Sequence, residues 1–309
     1  MENGSTENPN DVKIANNING YLVDADNIFI ENRPNPLCNV PEMGVGNKPI
    51  DGGFYLFTEE EMKQFILEEP KSEKWFRPWY GGEEFLNNKP RYCLLLQKCP
   101  PEELRGMPKC MERARAVKEY RLKSKREGTV KLAETPLKFH VENFPESDYM
   151  VIPETSSEGR KYIPIGFFGG NVICSNAIKI IRNYDIYEFG ILTSIVHNAW
   201  VRAFSGRLKS DYRYSVGVVY NNFIWVEPTQ KQREEITQTA QAILDARALY
   251  PNSSLADLYD PIVMPEELRK AHTENDRAVL KLYGLKSNSS EEEIVQNLMQ
   301  RYKELTEGK

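Results

Sequence analysis

Charged side chains alternate along one short stretch of the sequence, and their types could read a polar partner. Lys209, Asp211 and Arg213 are spaced two residues apart within the segment 206–227. On a β-strand this spacing would put all three on one face, because successive side chains point to opposite sides. The face would then offer a donor, an acceptor and a second donor in a row. Such a row could bind a patterned partner, or it could be a solvated, salt-bridged surface.

The major groove of DNA is one partner with a matching pattern. Guanine presents two acceptors there and cytosine presents a donor, so Lys209 could address guanine and Asp211 the cytosine of the same pair. A good base contact is worth about 1–3 kcal/mol of discrimination. An exposed ion pair is worth about 0–1 kcal/mol and is common on protein surfaces. The spacing alone therefore favours the solvated surface.

The charge of the chain is unevenly distributed along its 309 residues. The formal net charge is −5, which by itself argues against nucleic acid as a partner. Residues 102–131, however, contain ten Lys/Arg and five Glu, and residues 160–213 contain eight Lys/Arg and three acidic residues. Residues 227–309 contain eleven basic and fifteen acidic residues. A basic middle and an acidic tail indicate a local anion-binding surface on an acidic protein.

The first basic segment contains a predicted helix that allows two interpretations. It could be a solvated helix with ion pairs such as Glu119 to Lys123, four residues apart. It could also contact nucleic-acid phosphates, because each Lys or Arg that neutralises a phosphate releases counterions. Charge runs are usually solvated, so the sequence alone favours the first interpretation. The candidates for phosphate contacts in the two basic segments are Arg113, Lys118, Arg121, Lys125, Arg160 and Arg207.

Patterns typical of metal, cofactor and nucleophile chemistry are missing from the sequence. Five cysteines form no C-x-x-C pair, and three histidines are widely separated, so we expect neither a metal site nor a disulfide framework. The glycine-rich segment 44–49 lacks the GK[ST] end of a phosphate loop, and no G-x-G-x-x-G follows a strand. No run of 18 apolar residues predicts a membrane span, and the polar start is unlike a signal peptide. We therefore expect a cytoplasmic protein with no cofactor in this chain.

Composition divides the chain into three parts. Residues 1–45 are rich in Asn and Pro and are predicted to be an irregular lead-in or linker. Residues 46–228 combine helix and strand patterns, whereas residues 229–309 follow Pro228 with helical patterns throughout. The predicted fold class is therefore α+β, a mixed domain followed by a small helical domain.

Local signals predict the individual elements. Thr58 and Glu61 form a capping box at the start of one helix. A basic helix is predicted over 108–127 and a strongly apolar one over 186–205. Predicted strands lie at 91–97, 149–153, 163–168, 172–174, 218–220 and 223–226. Predicted C-terminal helices lie at 229–249 and 265–283 and from 290 onwards, with a short turn at 254–259.

Long motifs in the chain resemble one known family. They are GILTSIVHNAWVR (190–202), GRLKSDYRYS (206–215) and YNNFIWVEP (220–228), followed by segments beginning at Ile243 and Met264. Shorter matches near the front are YLVD (21–24), PEM (41–43), PIDGG (49–53) and RP (77–78). Together they resemble the C-terminal part of MmeI-like (type IIL) DNA methyltransferases and restriction–modification enzymes. The resemblance covers nearly the whole chain.

The resemblance implies a target-recognition domain over 46–228 with antiparallel strands, a helical C-terminal domain, and a lead-in from the catalytic part. Enzymes of the family methylate adenine N6 in an asymmetric site of double-stranded DNA with S-adenosylmethionine, and in some a nuclease domain precedes the methyltransferase. Their NPP[FY] motif does not occur in this sequence. We therefore expect that the chain is not an enzyme in isolation. Its expected partners are double-stranded DNA and a methyltransferase domain or subunit, with no membrane.

The resemblance also assigns roles to single residues. The frame RLxxxYRYS places the family's base-reading pair on Lys209 and Asp211, a combination expected to read guanine, and a further reader on Arg213. Upstream readers fall on Asn176 and Ala177.

A reader further upstream falls on Glu154, which with Asn176 would suit a cytosine. One departure is that Ile224 and Val226 stand where the family commonly has proline.

Three functions remain open at this point. The leading one is sequence-specific recognition of double-stranded DNA for an adenine-N6 methyltransferase. The second is a protein-interaction module that docks a separate catalytic subunit, and the third is a free-standing enzyme that binds S-adenosylmethionine. Steep salt dependence of DNA affinity would separate the first from the second.

Overall fold

The computed structural model describes residues 17–21, 24 and 27–307. Leu22 and Val23 of the motif at 21–24, and residues 1–16 of the predicted lead-in, lie outside the described residues. The fold is α+β, as predicted, with small sheets, most of them antiparallel pairs, and helices throughout the C-terminal part. No described helix is long and apolar enough to cross a membrane.

The described strands are short and pair into three sheets. In sheet order these are β1-β9-β5-β7, β2-β4-β3-β8 and β10-β11-β6. The strands are β1 Met43–Val45, β2 Leu56–Phe57, β3 Phe76–Tyr80, β4 Arg91–Leu94, β5 Tyr149–Pro153, β6 Thr155–Ser156, β7 Gly166–Phe168, β8 Ile173–Cys174, β9 Ile178–Ile181, β10 Gly206–Leu208 and β11 Asp211–Arg213.

Helices fill the spaces between the sheets and form the C-terminal part. In the first 150 residues they are α1 Glu59–Glu68, α2 Gly82–Asn87, α3 Pro101–Arg105, α4 Pro108–Leu122 and α5 Glu127–Lys131. Later in the chain they are α6 Ile186–Leu192, α7 Ile195–Phe204, α8 Gln230–Ala248, α9 Leu255–Leu258, α10 Glu266–Leu282 and α11 Glu291–Glu307. Short 3-10 helices lie at Pro70–Trp75 and Leu132–Glu134, and a π-helical turn at Val216–Tyr220.

The central strands of the first sheet, β5 and β9, are buried along their whole length. Their sequences YMVIP and IKII are nearly continuous apolar runs, as expected for strands covered on both faces. Lys179 is the charged exception in β9, with an exposed fraction of 5%. A buried ammonium needs an anionic partner, and that partner lies at the candidate site described below.

The buried residues of the described chain form three hydrophobic clusters, of which the two larger organise it and the third contains Tyr149, Val151 and Ile178. One of the two larger clusters lies under the second sheet and includes Phe57, Trp79 and Leu94. The other includes buried residues of β5, β9, α6 and α7 and continues without a break into α8, α10 and α11. The C-terminal helices therefore complete the core of the part that precedes them.

The predicted capping box is present at the start of α1. The Glu61 amide donates to the Thr58 hydroxyl over 3.2 Å, and the Thr58 amide donates to the Glu61 carboxylate over 2.8 Å. The basic helix differs from its prediction over 108–127, because α4 ends at Leu122. The hydroxyl of Ser124 accepts from the Arg126 amide at 3.1 Å, and such a local bond replaces the helical one.

The apolar helix predicted over 186–205 is two helices, α6 and α7. Ser194 caps α7, because its hydroxyl accepts from the His197 amide, while the Asp276 carboxylate accepts from the Ile195 amide at 2.7 Å. These polar contacts supply a new helix start inside the apolar run.

The strands predicted at 218–220 and 223–226 are wrong. The first is part of the π-helical turn and the second has no regular structure. The reason is the side-chain amide of Asn222, which donates to the carbonyls of Glu31, Gly217 and Val218 and so takes acceptors that a strand ladder would need.

Candidate nucleic-acid interface

The charged stretch 206–213 forms a β-hairpin. Strands β10 and β11 pair antiparallel with Leu208 opposite Asp211, so Lys209 and Ser210 are the two turn residues. The prediction that Lys209, Asp211 and Arg213 share one face of one strand is therefore wrong. Asp211 and Arg213 keep a common face of β11, whereas Lys209 lies at the exposed tip.

Lys209 has a backbone φ of +58°, in the left-handed region that favours glycine. A positive φ at the first of two turn residues is typical of type II′ hairpin turns. A residue with a Cβ costs roughly 1–2 kcal/mol in this region. Arg207 braces the turn, because its Nη1 donates to the Ser210 carbonyl over 3.0 Å and its guanidinium lies 3.8 Å from the ring centroid of Tyr212.

A third strand brings an upstream segment against this hairpin. Strand β6 pairs with β11, which sets Thr155 opposite Arg213. The Arg213 Nε donates to Glu154 Oε1 over 2.8 Å, and the Glu154 amide donates to the Ala177 carbonyl over 2.8 Å. Asn176, which precedes Ala177, is exposed. The structure thus brings the side chain of Glu154, the 176–177 turn and the hairpin together.

Lys179 completes this cluster and was missed by sequence reasoning. Its Nζ lies 2.9 Å from Oε2 of Glu154 and 3.4 Å from the Asn176 carbonyl oxygen. Burial would raise the pKa of Glu154, but hydrogen bonds from Lys179 and Arg213 outweigh that effect and hold the pKa below its ordinary value. The signal was a single lysine inside the apolar run IKII, since a buried lysine requires a partner.

Glu154 retains acceptor capacity despite its two cationic partners. A carboxylate has about four lone-pair sites, and Lys179 and Arg213 use two of them. Its side chain is 18% exposed and borders a cavity of about 390 Å³ that Lys179 and Arg213 also line. An outside donor could therefore reach the carboxylate.

Asp211 is held at the other end of β11. Its Oδ1 accepts from the Glu158 amide at 3.3 Å. Arg160 lies near it, half-buried, and burial lowers the pKa of its guanidinium while Asp260 and Asp211 raise it. In the described part of the chain the buried Nε of Arg160 has no hydrogen-bond partner. The charges of Asp260 and Asp211 thus act on Arg160, although neither forms an ion pair with it among the described residues.

Arg121 is not available for a phosphate, contrary to its prediction. It is fully buried, and its guanidinium donates to backbone carbonyls at 2.7–3.0 Å. The acceptors are the carbonyls of Pro49, Ile50, Leu132, Thr135 and Lys138. Because all five N–H groups of the guanidinium are engaged, Arg121 has a structural role and holds these backbone segments together.

The other candidates on or near α4 differ in exposure. Arg113 lies over two core aromatic rings, 4.8 Å from the Phe57 centroid and 5.7 Å from that of Phe65. Lys118 and Lys125 are exposed. Contacts of these three residues with phosphates stay predictions.

Within the described residues, no group of three or more His, Cys, Asp or Glu side chains is arranged to hold a metal ion. The five cysteines are free thiols, and burial lowers the pKa of His197 to about 3. The side chain of Glu154, the 176–177 turn and the 206–213 hairpin thus form one polar surface on an α+β scaffold.

The chain belongs to the MmeI family. Residues 24–227 match the MmeI target recognition domain, and residues 227–308 match the MmeI C-terminal domain.

Two relatives show how much of a larger protein the chain spans. It is 40% identical over 295 residues to DNA methyltransferase A of Bacillus subtilis (strain 168), covering 96% of this chain and 33% of that protein. It is also similar to the solved type IIL restriction–modification enzyme MmeI in complex with DNA, with a TM-score of 0.92 and 48% identity. That match covers 95% of this chain and 39% of MmeI. The chain thus spans somewhat over a third of MmeI and a third of the curated relative.

Proposed function

We propose that the chain recognises a specific sequence in double-stranded DNA for an adenine-N6 DNA methyltransferase of a restriction–modification system. The observation that carries the proposal is the convergence of Glu154, the 176–177 turn and the 206–213 hairpin on one surface. These segments are distant in sequence, and the family resemblance implies base reading for residues in each of them. The match to MmeI, a protein solved with DNA, supports the same partner.

Lys209 and Asp211 are proposed to read one G·C pair in the major groove. Lys209 is exposed, and no described residue forms an ion pair or hydrogen bond with its ammonium, so its donors are available to guanine. Asp211 is half-buried and accepts from the Glu158 amide through one oxygen, which leaves acceptor capacity for cytosine N4. Loss of such a bidentate arrangement costs about 1–3 kcal/mol of discrimination.

Glu154 and Asn176 are proposed to read a cytosine, with Ala177 and Arg213 as further readers. The free lone pairs of Glu154 can accept from cytosine N4, and the exposed Asn176 amide can donate or accept. Arg213 is 59% exposed and uses Nε on Glu154, so its terminal nitrogens can donate to a base.

Catalysis is proposed to lie in the remainder of the enzyme, outside this chain, together with binding of S-adenosylmethionine. In this proposal residues 1–45 lead in from the catalytic part, 46–228 recognise DNA and 229–309 form the helical domain. DNA in the cytoplasm is the expected substrate.

A binding selection on random duplexes tests the base assignment. Lys209→Glu combined with Asp211→Arg exchanges the donor and the acceptor, so the preferred base at one position should change from guanine to cytosine. The matched control is the exchange Glu266→Lys with Lys270→Glu, an exposed ion pair on α10 far along the chain. An unchanged preference at every base would refute the assignment of Lys209 and Asp211.

A second candidate function is docking of a catalytic subunit. Leu249, Ile262 and Val263 are 65%, 87% and 62% exposed. They lie at one end of the antiparallel pair α8 and α10, because Tyr250 hydrogen-bonds Glu267 there. If docking were the function, binding of this chain to DNA would show little dependence on salt.

A further inference from the structure

A cleft with a basic lining lies where the end of α4 meets the segment 48–50. Its volume is about 640 Å³. Three of the residues lining it are cations, Lys48, Lys123 and Arg126, and none is acidic. All three cations are exposed to solvent. An anion in the cleft would meet positive charge from both walls.

The three cations lack partners within the described part of the chain. No ion pair involves the side chain of Lys48, Lys123 or Arg126, and the pair of Glu119 with Lys123 suggested by their spacing does not form. Lys270, an exposed cation on α10, is by contrast paired with Glu266. Three unneutralised like charges around one cleft produce a positive potential that attracts an anion.

The walls of the cleft are fixed by the buried guanidinium of Arg121. It binds the carbonyls of Pro49 and Ile50 on one wall and those of Leu132 and Thr135 behind the other. The Ser124 hydroxyl accepts from the Arg126 amide, so its own hydrogen remains available to donate. Backbone next to Lys48 and backbone beyond the end of α4 are therefore tied to one buried side chain.

The cleft adjoins the candidate base readers. The backbone amide of Asn176 donates to the backbone carbonyl of Asn47 over 2.8 Å, and Lys48 directly follows Asn47 in the chain. Three covalent bonds and this hydrogen bond separate the Asn176 nitrogen from the Lys48 Cα. The major groove is only about 12 Å wide, so a base edge next to Asn176 has backbone phosphates within reach of a lysine side chain.

We propose that Lys48, Lys123 and Arg126 bind neighbouring backbone phosphates of the DNA, one phosphate each, next to the base pair contacted by Asn176. The inference rests on the proposed function and deepens it, because these contacts set the register in which the readers meet the bases. Phosphate contacts carry no sequence information, so these residues contribute affinity and leave the preferred sequence unchanged.

The test measures the DNA affinity of the chain against salt concentration. In the variant Lys48→Met, Lys123→Met, Arg126→Met, the slope of log affinity against log salt should become shallower by roughly two to three, since each phosphate contact contributes about 0.9. The preferred sequence should stay the same. The control Lys63→Met, Lys270→Met, Arg277→Met removes the same charge from exposed, ion-paired positions and should keep the original slope.

The outcomes separate this inference from the proposed function. If the unchanged chain binds a specific sequence and the triple variant retains the slope of the control, the phosphate cleft is refuted and the proposed function stands. A changed sequence preference with an unchanged slope refutes it equally. If the unchanged chain shows no sequence preference, both fall. The single variants Lys123→Met and Arg126→Met, each expected to reduce the slope by about 0.9, serve if the triple variant unfolds.

Discussion

The ammonium of Lys179 lies 2.9 Å from Oε2 of Glu154 and joins a buried strand to the proposed reading surface. Arg213 binds the other oxygen of the same carboxylate at 2.8 Å. Two proposed readers, Glu154 and Arg213, therefore share a cluster whose geometry depends on a residue that is 5% exposed. Lys179 is a positioning residue in this arrangement.

We expect Lys179→Met to relax discrimination at the base read by Glu154. Without the ammonium, the Glu154 carboxylate loses a charged hydrogen bond of about 1.5–3 kcal/mol. It then rotates together with the Arg213 guanidinium, to which it stays bonded. A binding selection should show the loss at the position that Glu154→Gln also affects. The preference at the position read by Lys209 and Asp211 should persist, and a loss there instead would contradict the positioning role.

Replacement of Arg121 should destabilise the chain strongly. Arg121→Met leaves several buried carbonyls without donors, and each buried group left unsatisfied typically costs about 1–3 kcal/mol. Denaturant unfolding measures the loss. Arg115→Met, at an exposed position on the same helix, is the control and should lie within about 0.5 kcal/mol of the original chain. Unchanged stability with a shallower salt slope would instead make Arg121 a phosphate contact.

Arg121 and Lys209 show which features the sequence could not predict. The carbonyls that bind Arg121 come from 49–50 and 132–138, and no local pattern distinguishes it from its exposed neighbours on α4. The turn at Lys209 contains no glycine, so a strand with alternating charges was the simpler interpretation. Long-range packing and a strained turn determined both outcomes.

Locally encoded features were predicted well. Thr229 accepts from the Gln232 amide and Ser290 from the Glu293 amide, and both caps are readable as short motifs. The candidate readers were placed by resemblance, whereas Lys179 had a physical signal in the sequence, a charge within an apolar strand. Sequence reasoning therefore succeeded where neighbours in the chain determine structure.

Lys209→Gly should stabilise the hairpin and weaken base discrimination at the same time. Glycine relieves the strain of the positive φ, although its greater freedom in the unfolded chain offsets part of the gain, which leaves about 0.5–1 kcal/mol. Thermal unfolding and a binding selection measure the two effects. Ser210→Gly, at the other turn position, has no positive φ to relieve and should not stabilise the chain. Equal shifts for both variants would contradict the strain at Lys209.

Acid should destabilise the chain through His197. Burial lowers the pKa of this imidazole to about 3, whereas an unfolded histidine titrates near 6.5. The unfolded state therefore takes up the proton first, and stability falls as the pH drops from about 6.5 towards 3. Between pH 7 and 5 this contribution amounts to about 2 kcal/mol.

His197→Gln isolates that contribution, because a glutamine does not titrate and can still bond the Tyr214 hydroxyl, 3.0 Å from the histidine Nε2. The comparison is needed because Glu188 has the opposite effect. Burial raises the pKa of its carboxyl to about 7, so its contribution to the stability of the folded chain is lost as the pH rises from about 4.5 to 7. The stability advantage of the original chain over the variant should shrink on acidification. A constant difference across this range would contradict a buried neutral His197.

Removal of residues 229–309 should prevent the remainder from folding, because the two parts share one core. Ile236 and Val279 in the C-terminal helices pack in the same buried cluster as Trp200 of α7. The carboxylate of Asp276 also accepts from the Tyr162 hydroxyl and the Ile195 amide, both at 2.7 Å. It therefore caps the start of α7, a helix that precedes residue 229.

The residues 1–228 alone should therefore lack a cooperative thermal transition and expose apolar surface to a hydrophobic dye. Asp276→Ala in the whole chain should lower stability by about 1–3 kcal/mol, since it leaves buried donors unpaired. Asp257→Ala, which removes the exposed capping-box carboxylate at the start of α9, is the control and should cost less than about 1 kcal/mol. A cooperative transition in 1–228 would show that this part of the chain folds separately. The helices of 229–309 would then have a role other than completing the core.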